Sequence, residues 1–298
     1  MKKEIDFLKY RYISIGFSIL FFLIGVVFVF INGFNLGIDF KGGISFIVKI
    51  DSNEATLQNV REIVVKSGFG NNVVQIGNDF ERTFNIKVPI SNDDKENQIK
   101  QDNLKKIIET RFGEQNVNWL SINLIGATMS KQFLKDSIWL VFIVFILILI
   151  YILIRFKNIR YSIGAIVALI HDVLLTLSLL VILKKEFTLN ILAAILTLIG
   201  YSLNDTIVVF TRIRENKELY PKMDKILLIN KSINENLSRT ILTSLTTFVV
   251  TFMIFIFGGE VLRDFGLALS FGIIEGTYSS IFIASVFLIE SKKKIQKI

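Results

Sequence analysis

Apolar residues in this chain gather into six long runs, at 12–31, 137–154, 161–183, 187–210, 240–257 and 265–289. A helix crossing a hydrocarbon core needs about 20 mostly apolar residues, so the pattern predicts six membrane-spanning helices. The first run follows Lys2, Lys3, Lys9 and Arg11, as the core of a signal peptide would. It is too long for one, and no small-x-small cleavage site follows at Phe30, Ile31 and Asn32, so it is expected to remain as an anchor.

Between the first two runs the period changes. Residues 43–50 (GISFIVKI) read as a strand, about 54–67 as a helix with Leu57, Val60, Val64 and Val65 on one face, and 72–77 as a second strand. The order then repeats: a strand at 82–88 turns Phe84, Ile86 and Val88 inward, a helix at about 96–111 spaces Leu104, Ile107, Ile108 and Arg111, and 117–125 returns as a strand. Such a β-α-β-β-α-β order is that of a ferredoxin-like domain, an antiparallel sheet with both helices on one face. Ser91 to Glu96 reads as a loop, and Ser130 to Asp136 as a hinge back into the membrane. The expected fold is an α-helical membrane protein of six transmembrane helices with an α+β domain between the first two. Its divisions are 1–32 (N-terminus and first span), 33–136 (outer domain) and 137–298 (five further spans and the C-terminus).

Charge orients this arrangement. The termini and short connections of one side carry eighteen Lys and Arg residues: in the N-terminus, at Arg155, Lys157 and Arg160, from Arg212 to Arg239, and after Glu290. The opposite short connections carry only Lys184, Lys185 and Arg263, which puts both termini in the cytoplasm and 33–136 outside. A 52% hydrophobic content and a mean hydropathy of +0.55 exclude an ordinary soluble domain. The net charge of +8 lies beside apolar runs, where membrane orientation explains it, and no nucleic-acid partner is expected. With no Cys and a single His171, disulfides, thiolate catalysis and zinc clusters are excluded, and neither metal nor cofactor is expected. No nucleotide loop or nucleophile with a base is present, so the chain does not read as an enzyme.

The candidate chemistry lies within the spans. Asp205 stands inside the run ILTLIGYSLNDTIVVFTRIREN, where a carboxylate costs about 2.5 to 3.5 kcal/mol on insertion scales and normally has a task. Tyr201, Asn204, Asp205, Val208 and Arg212 recur at helical spacing and predict one polar face, with lipid meeting Leu198, Ile199 and Val209 on the other. Tyr201, Asn204 and Thr206 are expected to support the carboxylate or to serve packing; if Asp205 only fixes the bundle, Arg212 or Arg239 is its expected permanent counter-ion. His171 and Asp172 read as a relay or as a packing bond; packing is favoured, since adjacent helical residues point about 100° apart. Glu275 is a further carboxylate at membrane depth, open to either reading. Thr240, Thr243, Ser244, Thr246 and Thr247 form a hydroxyl ladder in the fifth run. Ala268, Gly272, Gly276 and Ser280 recur every four residues, a spacing that lets backbones approach, so this face is expected to pack on another helix or on a partner protein. In GFNLGIDFKGG, glycines including Gly37, Gly42 and Gly43 surround Asp39 and predict a turn into the first strand through positive φ or close approach.

The GIDFKGG, IGYSLNDTIVVFTRIREN and SRTILTSLTT to FGGEVLRDFGLALSFGIIEGTYSSIF blocks together resemble the SecF family of the bacterial SecDF accessory complex, over about Arg11 to Ile289. The resemblance implies half of an RND-superfamily transporter in the bacterial cytoplasmic (inner) membrane, with SecD supplying the other half. It implies work with the SecYEG channel and SecA on preproteins, driven by the proton motive force. It places the family's proton-site Asp on Asp205 and its companion Arg on Arg239. The coupling ion is expected to be H⁺, with Na⁺ as the alternative, because a carboxylate with hydroxyl and amide neighbours serves either. Two rival readings remain: an exporter of small molecules or lipids, which would need a larger outer domain, and a non-transporting scaffold in which Asp205 is only structural.

Overall fold

In chain order the elements of this computed structural model are α1 (Arg11–Asn32), α2 (Ile38–Lys41), β1 (Gly43–Ile50), α3 (Leu57–Lys66), β2 (Val73–Ile76) and β3 (Thr83–Val88). Next come α4 (Asp94–Phe112), β4 (Val117–Ile125), α5 (Ala127–Phe156), α6 (Ile159–Ile182), α7 (Leu189–Leu219), α8 (Lys225–Phe257) and α9 (Gly259–Ser279). The structure describes residues 5–70, 73–76, 82–91 and 94–289. Lys2, Lys3, the basic residues after Glu290 and the two ends of the expected 72–77 strand lie outside them.

The outer domain follows from alternation. Ile44, Phe46, Val48 and Ile50 of β1 point to one face and share a core with Phe84, Ile86 and Val88 of β3. Val60 and Val64 of α3 and Leu104, Ile108 and Phe112 of α4 close that same core, so both helices cover one side of the sheet. The strand order is β2-β3-β1-β4, and every pairing is antiparallel, as a ferredoxin-like domain requires. Val65 is exposed rather than inward, because it sits about 100° around the helix from Val64. Arg111 is also turned outward, to an ion pair with Glu54 at 3.0 Å. Helix α4 starts at Asp94, inside the stretch expected as a loop.

Among the described residues, six helices are long and apolar enough to cross a membrane. About half of the apolar windows of α6, α7 and the α9 segment is buried (56%, 50% and 56%), against 11%, 11% and 17% for α1, α5 and α8. The former three therefore form the centre and the latter three the flanks. This overturns the expected lipid face of α7: Leu198, Ile199 and Val209 are each 1% exposed and pack inside the bundle. A helix interface in a membrane is as apolar as a lipid contact, so hydrophobicity alone does not tell them apart. The expected hinge at Ser130 to Asp136 is instead the opening of α5, unbroken from Ala127 to Phe156. Polar residues there mark the exit from hydrocarbon, while the helix continues into water. After α9 the helix widens into a π-helical turn, Ser280–Ala284.

Candidate functional site

Asp205 lies halfway along α7 and is 2% exposed. Its Oδ2 accepts from Ser244 Oγ of α8 at 3.2 Å and from Thr277 Oγ1 of α9 at 3.4 Å. These two hydroxyls are 2.7 Å from each other, and Thr277 also reaches the Ile273 carbonyl at 3.0 Å. Each hydroxyl has a single proton to donate. Two protons thus serve four contacts, and the pair can turn both protons to an ionised Asp205 or divert them to each other and to Ile273 when Asp205 is protonated. Tyr201, one turn toward the outer domain, has a buried hydroxyl beside Thr243, Ser244 and Thr247 that completes no hydrogen bond of normal geometry.

The remaining residues expected around Asp205 are dispersed. Asn204 is exposed on the flank of α7, about 100° around from Asp205. The Thr206 hydroxyl is buried, with no hydrogen-bond partner among the described residues. Arg212 is held by Glu235 at 2.7 Å and Glu215 at 3.0 Å, away from Asp205. Arg239 lies on α8, five residues from Ser244 toward the inner end, exposed and without an ion pair among the described residues. Ser244 was legible as part of the hydroxyl ladder, whereas Thr277 was not singled out. Three of the ladder's other members bond their own helix: Thr243 to Arg239 O, Thr246 to Leu242 O and Thr247 to Thr243 O, each at 3.0 Å.

A second polar cluster crosses the centre. Asp172 of α6 is 1% exposed and accepts from Ser202 of α7 at 2.5 Å and Ser279 of α9 at 2.8 Å, both through Oδ2. Its Oδ1 meets His171 Nδ1 at 2.9 Å, so the two adjacent side chains converge although their helical positions differ by about 100°. Two side chains 100° apart on a helix still bond each other when both bend toward the same gap. His171 Nε2 reaches Ser18 Oγ of α1 at 2.8 Å, and Ser18 meets the Tyr278 hydroxyl at 3.1 Å. Glu275 lies one turn before Ser279, 8% exposed, with its Oε2 buried and unpartnered among the described residues.

The small-residue seam of α9 faces α7. A Cβ on Gly272 would stand 2.6 Å from Leu198, and one on Gly276 3.0 Å from Ser202, while Ala268 and Ser280 are buried. The seam is therefore an internal contact, and it brings the carriers of Asp205 and Glu275 together.

The GFNLGIDFKGG turn docks on the outer end of α7. Gly42 has φ +83°, and Gly43 and Gly37 are sites of close approach, to Ile38 and to Thr188 respectively. Leu36 and Phe187 form a parallel bridge, with Gly37 N–H donating to Phe187 O at 2.8 Å and Phe187 N–H to Asn35 O at 2.7 Å. Asp39 Oδ2 accepts the Leu189 backbone N–H at 3.0 Å, capping the start of the helix that carries Asp205. Lys87 of β3 adds an ion pair to Glu186 at 2.6 Å.

Six spanning helices, a ferredoxin-like domain between the first two and buried carboxylates at mid-span define a polytopic membrane protein of the transporter class. Residues 104–294 match the family described as "Protein export membrane protein SecD/SecF, C-terminal", and residues 27–54 match "SecD/SecF GG Motif". The chain is 38% identical to the protein translocase subunit SecF of Rickettsia bellii, over 99% of this chain and 96% of that one. It is 36% identical to SecF of Endomicrobium trichonymphae, over 99% and 93%. The crystal structure of SecDF, a translocon-associated membrane protein from Thermus thermophilus, superposes with a TM-score of 0.81 at 31% identity, covering 97% of this chain and 38% of that chain. SecDF in its super-membrane-facing form gives a TM-score of 0.66, again at 31% identity, covering 97% and 39%. The chain belongs to the SecF family of protein translocase subunits.

Proposed function

We propose that this chain is one half of a SecDF-type complex in the bacterial inner membrane, with both termini cytoplasmic, that uses the proton motive force to help preproteins across. SecD is its direct partner, and SecYEG and SecA belong to the wider assembly. Asp205 is the proton carrier, and the observation that carries this reading is its buried carboxylate between two hydroxyls with alternative acceptors. Protonation releases Ser244 and Thr277 from Asp205, which loosens its link to α8 and α9. Arg239, whose charge already reaches Asp205 without a direct ion pair, is the cation that an ionised Asp205 draws closer when the helices shift. One charge moving through the membrane potential supplies about 2.3 kcal/mol per 100 mV, enough to bias two packings that differ by a few kcal/mol.

Asp39 and the Leu36 to Phe187 bridge transmit this bias. They tie the outer end of α7 to the turn that leads into β1, so a displacement of α7 reaches the sheet without a flexible linker. The test is gradient-dependent completion of preprotein translocation in vesicles holding this chain with SecD, at equal complex levels. Asp205→Asn and Arg239→Ala are expected to abolish the gradient-dependent component and leave the rest. Unchanged export in both variants would instead support a scaffold.

A further inference from the structure

Donor counting along the chain from Ser14 to Asp172 determines where its protons lie. A carbonyl only accepts, so the Tyr278 hydroxyl uses its one proton on Ser14 O at 2.6 Å. Tyr278 then has none for Ser18, and the 3.1 Å contact between these hydroxyls requires Ser18 Oγ to donate. Ser18 in turn has none for the imidazole, so the 2.8 Å contact to His171 Nε2 requires an Nε2–H donor. With Nε2 protonated, the 2.9 Å contact of His171 Nδ1 with Asp172 Oδ1 needs one more proton, on Nδ1 or on Oδ1. Without it a nitrogen lone pair would face a carboxylate oxygen. Asp172 Oδ2 is already engaged by Ser202 and Ser279, which leaves Oδ1 as the atom that shares the proton.

We propose that His171 and Asp172 form a second proton-binding site in the membrane interior, distinct from Asp205, holding one exchangeable proton between Nδ1 and Oδ1. Carboxylic acid with neutral imidazole and carboxylate with imidazolium are two forms of the same occupied state, both of zero net charge. Departure of the proton leaves a single negative charge and two facing lone pairs, and the contact opens. Because the chain of contacts joins α1, α6, α7 and α9, occupancy of the site is coupled to how α1 sits on the centre. The other titratable groups facing the pair are Tyr278 and Glu275, both from α9, while α1 and α7 present hydroxyls, Ser18 and Ser202. Glu275, with its unpartnered Oε2, is the carboxylate placed to exchange that proton.

His171 is the only histidine of the chain, so its ring nitrogens can be read without ambiguity. The experiment is nitrogen NMR of the full-length chain, ¹⁵N-labelled at histidine and reconstituted in bilayers, across a pH series. The expected result is Nε2 protonated throughout and a one-proton titration at Nδ1 that is lost in Asp172→Asn. A neutral Nδ1–H tautomer with bare Nε2, unmoved by pH, would overturn the proposal and make the contact a static packing bond. A titration that persists unchanged in Asp172→Asn would also overturn it, assigning the proton to the imidazole alone. The tautomer is read on the wild type, so a folding defect in the variant leaves the test intact. Asp205 lies outside this chain of contacts, and its own proposal stands or falls separately.

Discussion

At Asp205 the chemistry is set less by charge than by the scarcity of donors. Ser244 is the member of the hydroxyl pair with fewer alternatives, since Thr277 can always return to Ile273 O. Ser244→Ala should therefore remove the shorter of the two bonds to the carboxylate and cost about 1–3 kcal/mol in the ionised state. The expected readout is a reduced gradient-dependent rate, with Thr246→Val near wild type because the exposed Thr246 hydroxyl serves only its own helix. Equal loss in both variants would contradict a special role for Ser244. Asp205 itself was legible in the sequence because a carboxylate in an apolar run is conspicuous. Its partners were not, since a helical wheel orders residues within one helix and cannot assign Ser244 and Thr277 from two others. The same limit explains Asn204, which shares the wheel's polar sector but lies on the exposed flank.

Among the elements, α7 carries Asp205 and meets, at its start, the turn that leads into the outer domain. Its start is capped twice, by Thr188 Oγ1 on Ile191 N–H at 3.5 Å and by Asp39 on Leu189 N–H at 3.0 Å. Asp39→Ala should lower the stability of the purified chain by about 0.5–2 kcal/mol, the range for losing a cap, read as a lower melting temperature. Asp39→Asn, which retains an acceptor oxygen, should recover most of it; equal loss in both would show that the bond to Leu189 is not what matters. The strands and helices of the outer domain were readable to within a few residues, because period 2 and period 3.6 differ sharply over Ile44 to Ile50 and over Leu104 to Phe112. The join at Ser130 to Asp136 was misread since loss of hydrophobicity was taken for loss of helix, whereas α5 begins at Ala127. The contact of Asp39 with Leu189 spans 150 positions and leaves no local pattern.

Taken whole, the molecule is a membrane bundle with a central α6, α7 and α9 and a small domain fastened to the top of α7. The flanking helices leave wide apolar surfaces, including Phe17, Phe30, Leu147, Leu242 and Phe257, on a chain that spans 38% of the SecDF protein it superposes on. If a proton on Asp205 moves the outer domain through α7, the distance between that domain and the bundle changes with the gradient. With no native Cys, spin labels at Gln58→Cys on α3 and Phe257→Cys at the outer end of α8 report that movement directly in reconstituted complexes. The expected result is a distance distribution that shifts when a proton gradient is imposed on otherwise wild-type protein and stays fixed in Asp205→Asn. A shift of the same size in Asp205→Asn would contradict it.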